Sequence, residues 1–159
     1  MRRIFTLALA GSAAIMAMQT AAHEAHGTSI DDAIYARRAY YTLLGANIGP
    51  LAAMAKGEAE YDAATAELHA GNLVRMGNYN PMPHFPAESD NEWKAGDTRA
   101  LPAIWEDMAG FEQKFADFVE ATKALAEVAG DGRGALGPAV GNLGGTCKAC
   151  HDDYRAKDF

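Results

Sequence analysis

Apolar residues recur along this chain at alternating steps of three and four in four separate segments, and that spacing restricts the fold to packed helices. The longest run is Ile104, Met108, Phe111, Phe115, Phe118, Thr122 and Leu125, which starts behind Pro102, a favourable first helical residue, and stops at Gly130-Asp131-Gly132. An earlier segment opens on Ser29-Ile30-Asp31-Asp32, a hydroxyl cap with first-turn acids. It carries Ile34, Arg37, Tyr41, Leu44, Ile48 and Leu51 on one stripe and closes at Lys56-Gly57. Pro50 lies inside it without an N–H for the helical ladder, so a kink or local break is expected near Asn47 to Pro50. Asp62 caps a shorter helix bearing Ala66, His69, Leu73 and Met76, followed by a long polar loop, Asn78 to Gly96, with Pro81, Pro83 and Pro86. The last segment, about Gly134 to Lys157, sets Leu136, Val140, Leu143, Cys147, Cys150 and Tyr154 on one seam, weakened by its glycines. Sustained alternation of apolar and polar residues is lacking, so strands are not expected. Four such seams are buried most simply in an all-α, antiparallel four-helix bundle.

The first residues read as a targeting segment. Arg2 and Arg3 form a positive start, Ile4 to Met18 is uncharged and mostly apolar, and Thr20-Ala21-Ala22 offers the small residues a signal peptidase reads. A membrane anchor is the alternative, but a spanning helix wants about 20 apolar residues, and this run gives way to Gln19 and His23-Glu24. The expected organisation is a signal peptide over 1–22 and one bundle domain over 23–159, exported to an oxidising compartment, a bacterial periplasm, with no membrane anchor after cleavage. The net charge of -7, with 14 scattered basic residues, argues against a nucleic-acid partner.

The chemistry concentrates at Cys147-Lys148-Ala149-Cys150-His151, which holds both cysteines of the chain. Two thiols separated by two residues can add to the two vinyl groups of one haem, and a histidine directly after them can place its imidazole on the iron. Covalent haem attachment outside the cytoplasm agrees with the independently read export signal. A dithiol redox pair would want a βαβ context, and zinc would want a second Cys/His pair at ligand spacing; neither pattern is present, although a non-haem dithiol or metal-binding module stays as an alternative.

The ending Gly145-Thr146-Cys147-Lys148-Ala149-Cys150-His151-Asp152-Asp153-Tyr154-Arg155, the segment Ala36-Arg37-Arg38-Ala39-Tyr40-Tyr41, Lys56-Gly57, Tyr61-Asp62-Ala63-Ala64 and Ile104-Trp105 together resemble the cytochrome c′ family, the class II c-type cytochromes. The resemblance covers nearly all of the chain after Ile30. It implies a left-handed antiparallel bundle with one covalently attached haem c near the C-terminus, often a homodimer through the first two helices. It also implies a periplasmic role in electron transfer or in binding small gases such as nitric oxide, rather than enzymatic turnover.

Carried over residue by residue, the resemblance makes Cys147 and Cys150 the haem-linking pair and His151 the proximal iron ligand. Arg155, one helical turn beyond His151, lines the proximal side. Tyr41 matches the position over the distal face, which low-spin relatives fill with a methionine and which cytochromes c′ proper leave open. Arg37 falls on an inward stripe, where a bare charge costs several kcal/mol; a haem propionate is the natural partner, with snorkelling to solvent as the alternative. On the first helix the one methionine is Met54, about 13 residues and roughly 20 Å from Tyr41, too far to replace it. His69 could in principle ligate but reads better as a core or interface residue, and His84, His23 and His26 read as bystanders. The leading expectation is a five-coordinate haem protein with a homodimeric partner, small gaseous ligands and an unidentified periplasmic redox partner. A low-spin electron carrier with a protein sixth ligand is the alternative. Tyr35, Tyr40 and Tyr41 occupy more than one face of the first helix, which favours a dimer.

Overall fold

The computed structural model describes residues 29–159; the expected signal peptide with its cleavage site, and His23 and His26, lie outside the described residues. Four long helices form the bundle: α1 (Ile30–Lys56), α2 (Ala63–Gly77), α4 (Met108–Val128) and α5 (Arg133–Tyr154), with a one-turn helix α3 (Ala103–Glu106) preceding α4. Among the described residues there are no strands, only an isolated bridge between Ala100 and Arg155. Packing runs in a ring in which α2 touches α1 and α4, and α5 touches α4 and α1. Neighbours are antiparallel. The Tyr40 hydroxyl near the start of α1 donates to the Met76 carbonyl near the end of α2, and the Tyr61 hydroxyl ahead of α2 donates to the Ala129 carbonyl just past α4.

Each helix begins where its sequence supplies an acceptor. Ser29 and Asp32 form a reciprocal capping box on α1, Asp62 accepts from the Thr65 amide on α2, and Asp107 accepts from the Gly110 amide on α4. Gly57 ends α1 at φ 79°, a left-handed conformation that glycine adopts without a Cβ penalty. The seams close on a core in which Leu51, Leu73, Leu125 and Leu136 are wholly buried, each burial contributing about 2 kcal/mol. A second, smaller cluster of Phe85, Ile104, Phe111 and Tyr154 fills the end of the bundle where α5 terminates, with Met82, Trp105, Met108 and Cys150 packed against it.

Three local expectations are corrected. α1 runs through Pro50 without a break, because Leu51 and Met54 beyond it are 0% and 3% exposed, and their burial outweighs the roughly 3 kcal/mol proline penalty. The segment behind Pro102 is two helices. Asp107, at φ -136° and ψ 61°, interrupts it to cap α4, and the Ile104 to Met108 spacing conceals the interruption. The tyrosine on the main-core seam of α1 is Tyr40, 7% exposed, while Tyr41 keeps 38%. Steps of three and four from Arg37 straddle the seam, and Tyr40 turns toward α2. The polar loop is also ordered, with a 3₁₀ turn at Met82–His84 and buried Phe85, Ser89, Asp90 and Thr98.

Candidate functional site

The inward face of α5 places Cys147 against the main core and Cys150 one turn later against the second cluster, so the two thiols bridge the boundary between them. Both are free and half-buried. Burial raises both thiol pKa values, that of Cys150 to about 11, which keeps the sulfurs protonated at neutral pH. A dithiol redox motif needs the opposite, a depressed pKa that exposes a thiolate. Among the described residues no three His, Cys, Asp or Glu side chains converge as a metal cluster, so the zinc alternative gains no support. The pair fits two sulfurs presented to one large apolar group.

His151 follows on the same turn, half-buried. Burial first, then the nearby charges of Arg155 and Arg99, lower its pKa and favour the neutral imidazole whose free nitrogen lone pair can bind a metal. α5 ends soon after. The Arg155 amide donates to the His151 carbonyl at 3.2 Å, the Leu101 amide to the Tyr154 carbonyl at 3.0 Å, and the Ala156 amide to the Arg99 carbonyl at 2.8 Å. The Tyr154 hydroxyl donates to Asp107 Oδ2 at 2.9 Å, tying the residue that separates α3 from α4 to the end of the ligand helix. Arg155 stands at the surface, and its charge is one of those that lower the His151 pKa.

Tyr41 reaches the site from α1. It retains accessible surface, yet burial drives its phenol well above the usual range, with Cys150 the next-largest influence on it. Its ring meets that of Tyr40 edge-on, with centroids 5.3 Å apart.

Arg37 is 3% exposed and does not snorkel. Nη1 donates to Ser89 Oγ at 2.8 Å and, at 3.4 Å, to the His84 carbonyl; Nη2 donates to Thr98 Oγ1 at 2.7 Å and to the Ser89 carbonyl. Its guanidinium also lies 5.1 Å from the Phe85 ring centre. The loop between α2 and α3 thus supplies hydrogen-bond partners for the buried charge. His69 Nδ1 is engaged by Asn47 Oδ1 at 3.0 Å, an α1–α2 contact that Asn72 shares, and His84 Nε2 is paired with the Tyr79 hydroxyl.

Sequence reasoning missed Ser89, Thr98, Asp107, Met82 and Met108. Asp107 was legible as an Asp-x-x-Gly cap; the two methionines carried no local signal beyond their place in or near the proline loop and a helical seam. Ser89 and Thr98 could not be paired with Arg37 from sequence, because they lie 52 and 61 residues away.

Residues 32–155 match the family described as Cytochrome C'. A cytochrome c' of Cereibacter sphaeroides is 44% identical over 158 residues, 99% of both chains. A solved cytochrome c′ from Rhodobacter Spheriodes shares 45% identity at a TM-score of 0.79, covering 81% of this chain and 98% of that one. A nitric oxide complex of a cytochrome c prime variant from Alcaligenes xylosoxidans shares 33% identity at a TM-score of 0.68, covering 81% and 98%. The bundle, the paired thiols near the C-terminal end of its last helix and these likenesses agree: the chain belongs to the cytochrome c′ family, whose cofactor is covalently bound haem c.

Proposed function

We propose that this protein is an exported, periplasmic, five-coordinate cytochrome c′ that takes up small gases such as nitric oxide and passes single electrons to a redox partner. In this reading Cys147 and Cys150 hold the haem, His151 binds its iron, Arg155 lines the proximal side, and Tyr41 covers the opposite face. The observation that carries it is the residue at the α1 position matching the family's distal site: Tyr41, a tyrosine, whose neutral phenol is a poor iron ligand. Met54 is buried in the main core, and His69 lies at the α1–α2 contact with Asn47 and Asn72, while Cys150 packs against the other cluster. Bound haem supplies a one-electron iron couple with a coordination position for a diatomic ligand. The chain's part is to exclude water with Tyr41 and the aromatic cluster, and to keep His151 neutral. Removal of the export segment after Ala22 and a homodimer through α1 and α2, whose outer faces expose Tyr35, Leu43 and Leu68, belong to the same reading.

The test is the absorption and electron paramagnetic resonance spectrum of the oxidised and reduced protein, followed by carbon monoxide binding. High-spin haem in both states, with slow binding that Tyr41→Ala accelerates, is the expected result. The runner-up, a low-spin electron carrier, has one observation in its favour: Met82 and Met108 pack into the same cluster as Cys150. Low-spin spectra that Met82→Leu or Met108→Leu converts to high-spin would replace the gas-binding reading with that one.

A further inference from the structure

Tyr79 and His84 bracket the first turn of the loop that leaves α2, outside the haem crevice. Tyr79 is 47% exposed, its hydroxyl pairs with His84 Nε2, and the two rings stack with centroids 5.8 Å apart and planes 17° from parallel. A phenol held against an imidazole nitrogen is built for one-electron oxidation. Loss of an electron makes the phenolic proton strongly acidic, and a base already in contact removes it in the same event.

From Tyr79 the rings continue inward. Tyr40 lies 5.6 Å from Tyr79, and Tyr41, which the proposed function sets over the haem, lies 5.3 Å from Tyr40. The hydroxyl partners decide which ring is the donor. Tyr40 donates to the Met76 carbonyl at 3.0 Å, and a backbone carbonyl cannot keep a proton. Tyr40 therefore retains its proton and acts as a bridge, whereas Tyr79 has a base waiting.

We infer that Tyr79 and His84 form a proton-coupled electron donor, connected through Tyr40 and Tyr41 to the haem crevice, that supplies an electron when hydrogen peroxide is reduced there. The inference rests on the haem reading above. One peroxide takes two electrons and two solvent protons to give two waters. Bound ferrous haem would supply one electron and Tyr79 the other; the Tyr79 phenolic proton passes to His84 Nε2 and leaves a neutral tyrosyl radical beside an imidazolium. A small external one-electron reductant such as ascorbate then restores Tyr79, and His84 returns the proton.

Two oxidants applied to the purified protein test this, each with a nitroso spin trap and peptide mass spectrometry to locate the radical. With photogenerated ruthenium(III) tris-bipyridine, which needs no haem, the adduct should fall on Tyr79 and vanish in Tyr79→Phe. His84→Gln keeps a hydrogen-bond acceptor but no base, and should slow Tyr79 oxidation about 100-fold. With peroxide and the ferrous protein, Tyr40→Leu should abolish the Tyr79 adduct while leaving the ruthenium-driven one unchanged. Tyr41→Leu should do the same and serves if Tyr40→Leu loses its helical circular dichroism. Equal Tyr79 rates in His84→Gln, or ruthenium-driven labelling that favours the more exposed Tyr35, would overturn the donor assignment. Peroxide-driven labelling that both inner variants leave intact would overturn the connection. Absence of a haem absorption band would refute the haem reading and the connection with it, and the ruthenium experiment would still decide the Tyr79–His84 pair.

Discussion

Replacing Arg37 with Met tests whether one buried cation holds the loop that positions the end of α5. Three bonds to buried partners are lost, to Ser89 Oγ, the Ser89 carbonyl and Thr98 Oγ1, each worth about 2 kcal/mol because the donor is charged, or about 6 kcal/mol together. Burial drags the Arg37 pKa from 12.5 to about 10, so holding the charge there costs about 3 kcal/mol, which methionine recovers. The expected net loss is about 3 kcal/mol, or about 10 °C in melting temperature for a domain of this size. Lysine keeps the charge but not the fork, and Arg37→Lys should lose about 2 kcal/mol. Urea titration followed by helical circular dichroism measures the loss. Hydrogen exchange at the Asn91 and Leu101 amides, which donate to Ala100 and Tyr154, localises it. Faster exchange at both amides is expected. Wild-type stability in Arg37→Met would refute the argument, and a loss of stability with unchanged exchange at those amides would show that the guanidinium stabilises some other part of the fold.

Three further outcomes follow from the same structure. Haem should survive acid–acetone extraction, and Cys150→Ala should leave a single thioether that mass spectrometry counts; freely extractable pigment refutes covalent attachment. Leu73→Ala, at a wholly buried site in the main core, should cost about 3 kcal/mol in urea titration, and a loss below 1 kcal/mol would mean that the core collapses around the gap. Stability should fall between pH 10 and 12. Burial raises Tyr40 and Tyr154 from 10.0 to about 12, so the folded state holds protons that the unfolded chain releases across that window. Tyr41 is raised as well, so Arg37, lowered to about 10, and Arg155, also lowered, stand against three tyrosines; thermal melts should shift downward with pH and Tyr40→Phe should flatten the slope.

The features legible in the chain were those whose determinants lie within one or two helical turns. Period-3.6 seams, the caps Ser29 and Asp62, Gly57 at the end of α1, and a Cys-x-x-Cys-His motif all act between near neighbours, so sequence order alone states their geometry. Spacing also concealed one thing it could not express: Ile104 and Met108 keep step across Asp107, although the backbone breaks there to start a new helix. Other decisions needed the assembled bundle. Whether Tyr40 or Tyr41 enters the main core depends on where α2 and α5 lie around α1, since both positions border the same seam. The partner of Arg37 was undetermined for a stronger reason. A buried charge must be satisfied, but its satisfaction came from Ser89 and Thr98 in the distant loop between α2 and α3. Neither side specifies the other locally; only closure of the chain over more than 50 residues brings donor and acceptors within 3 Å.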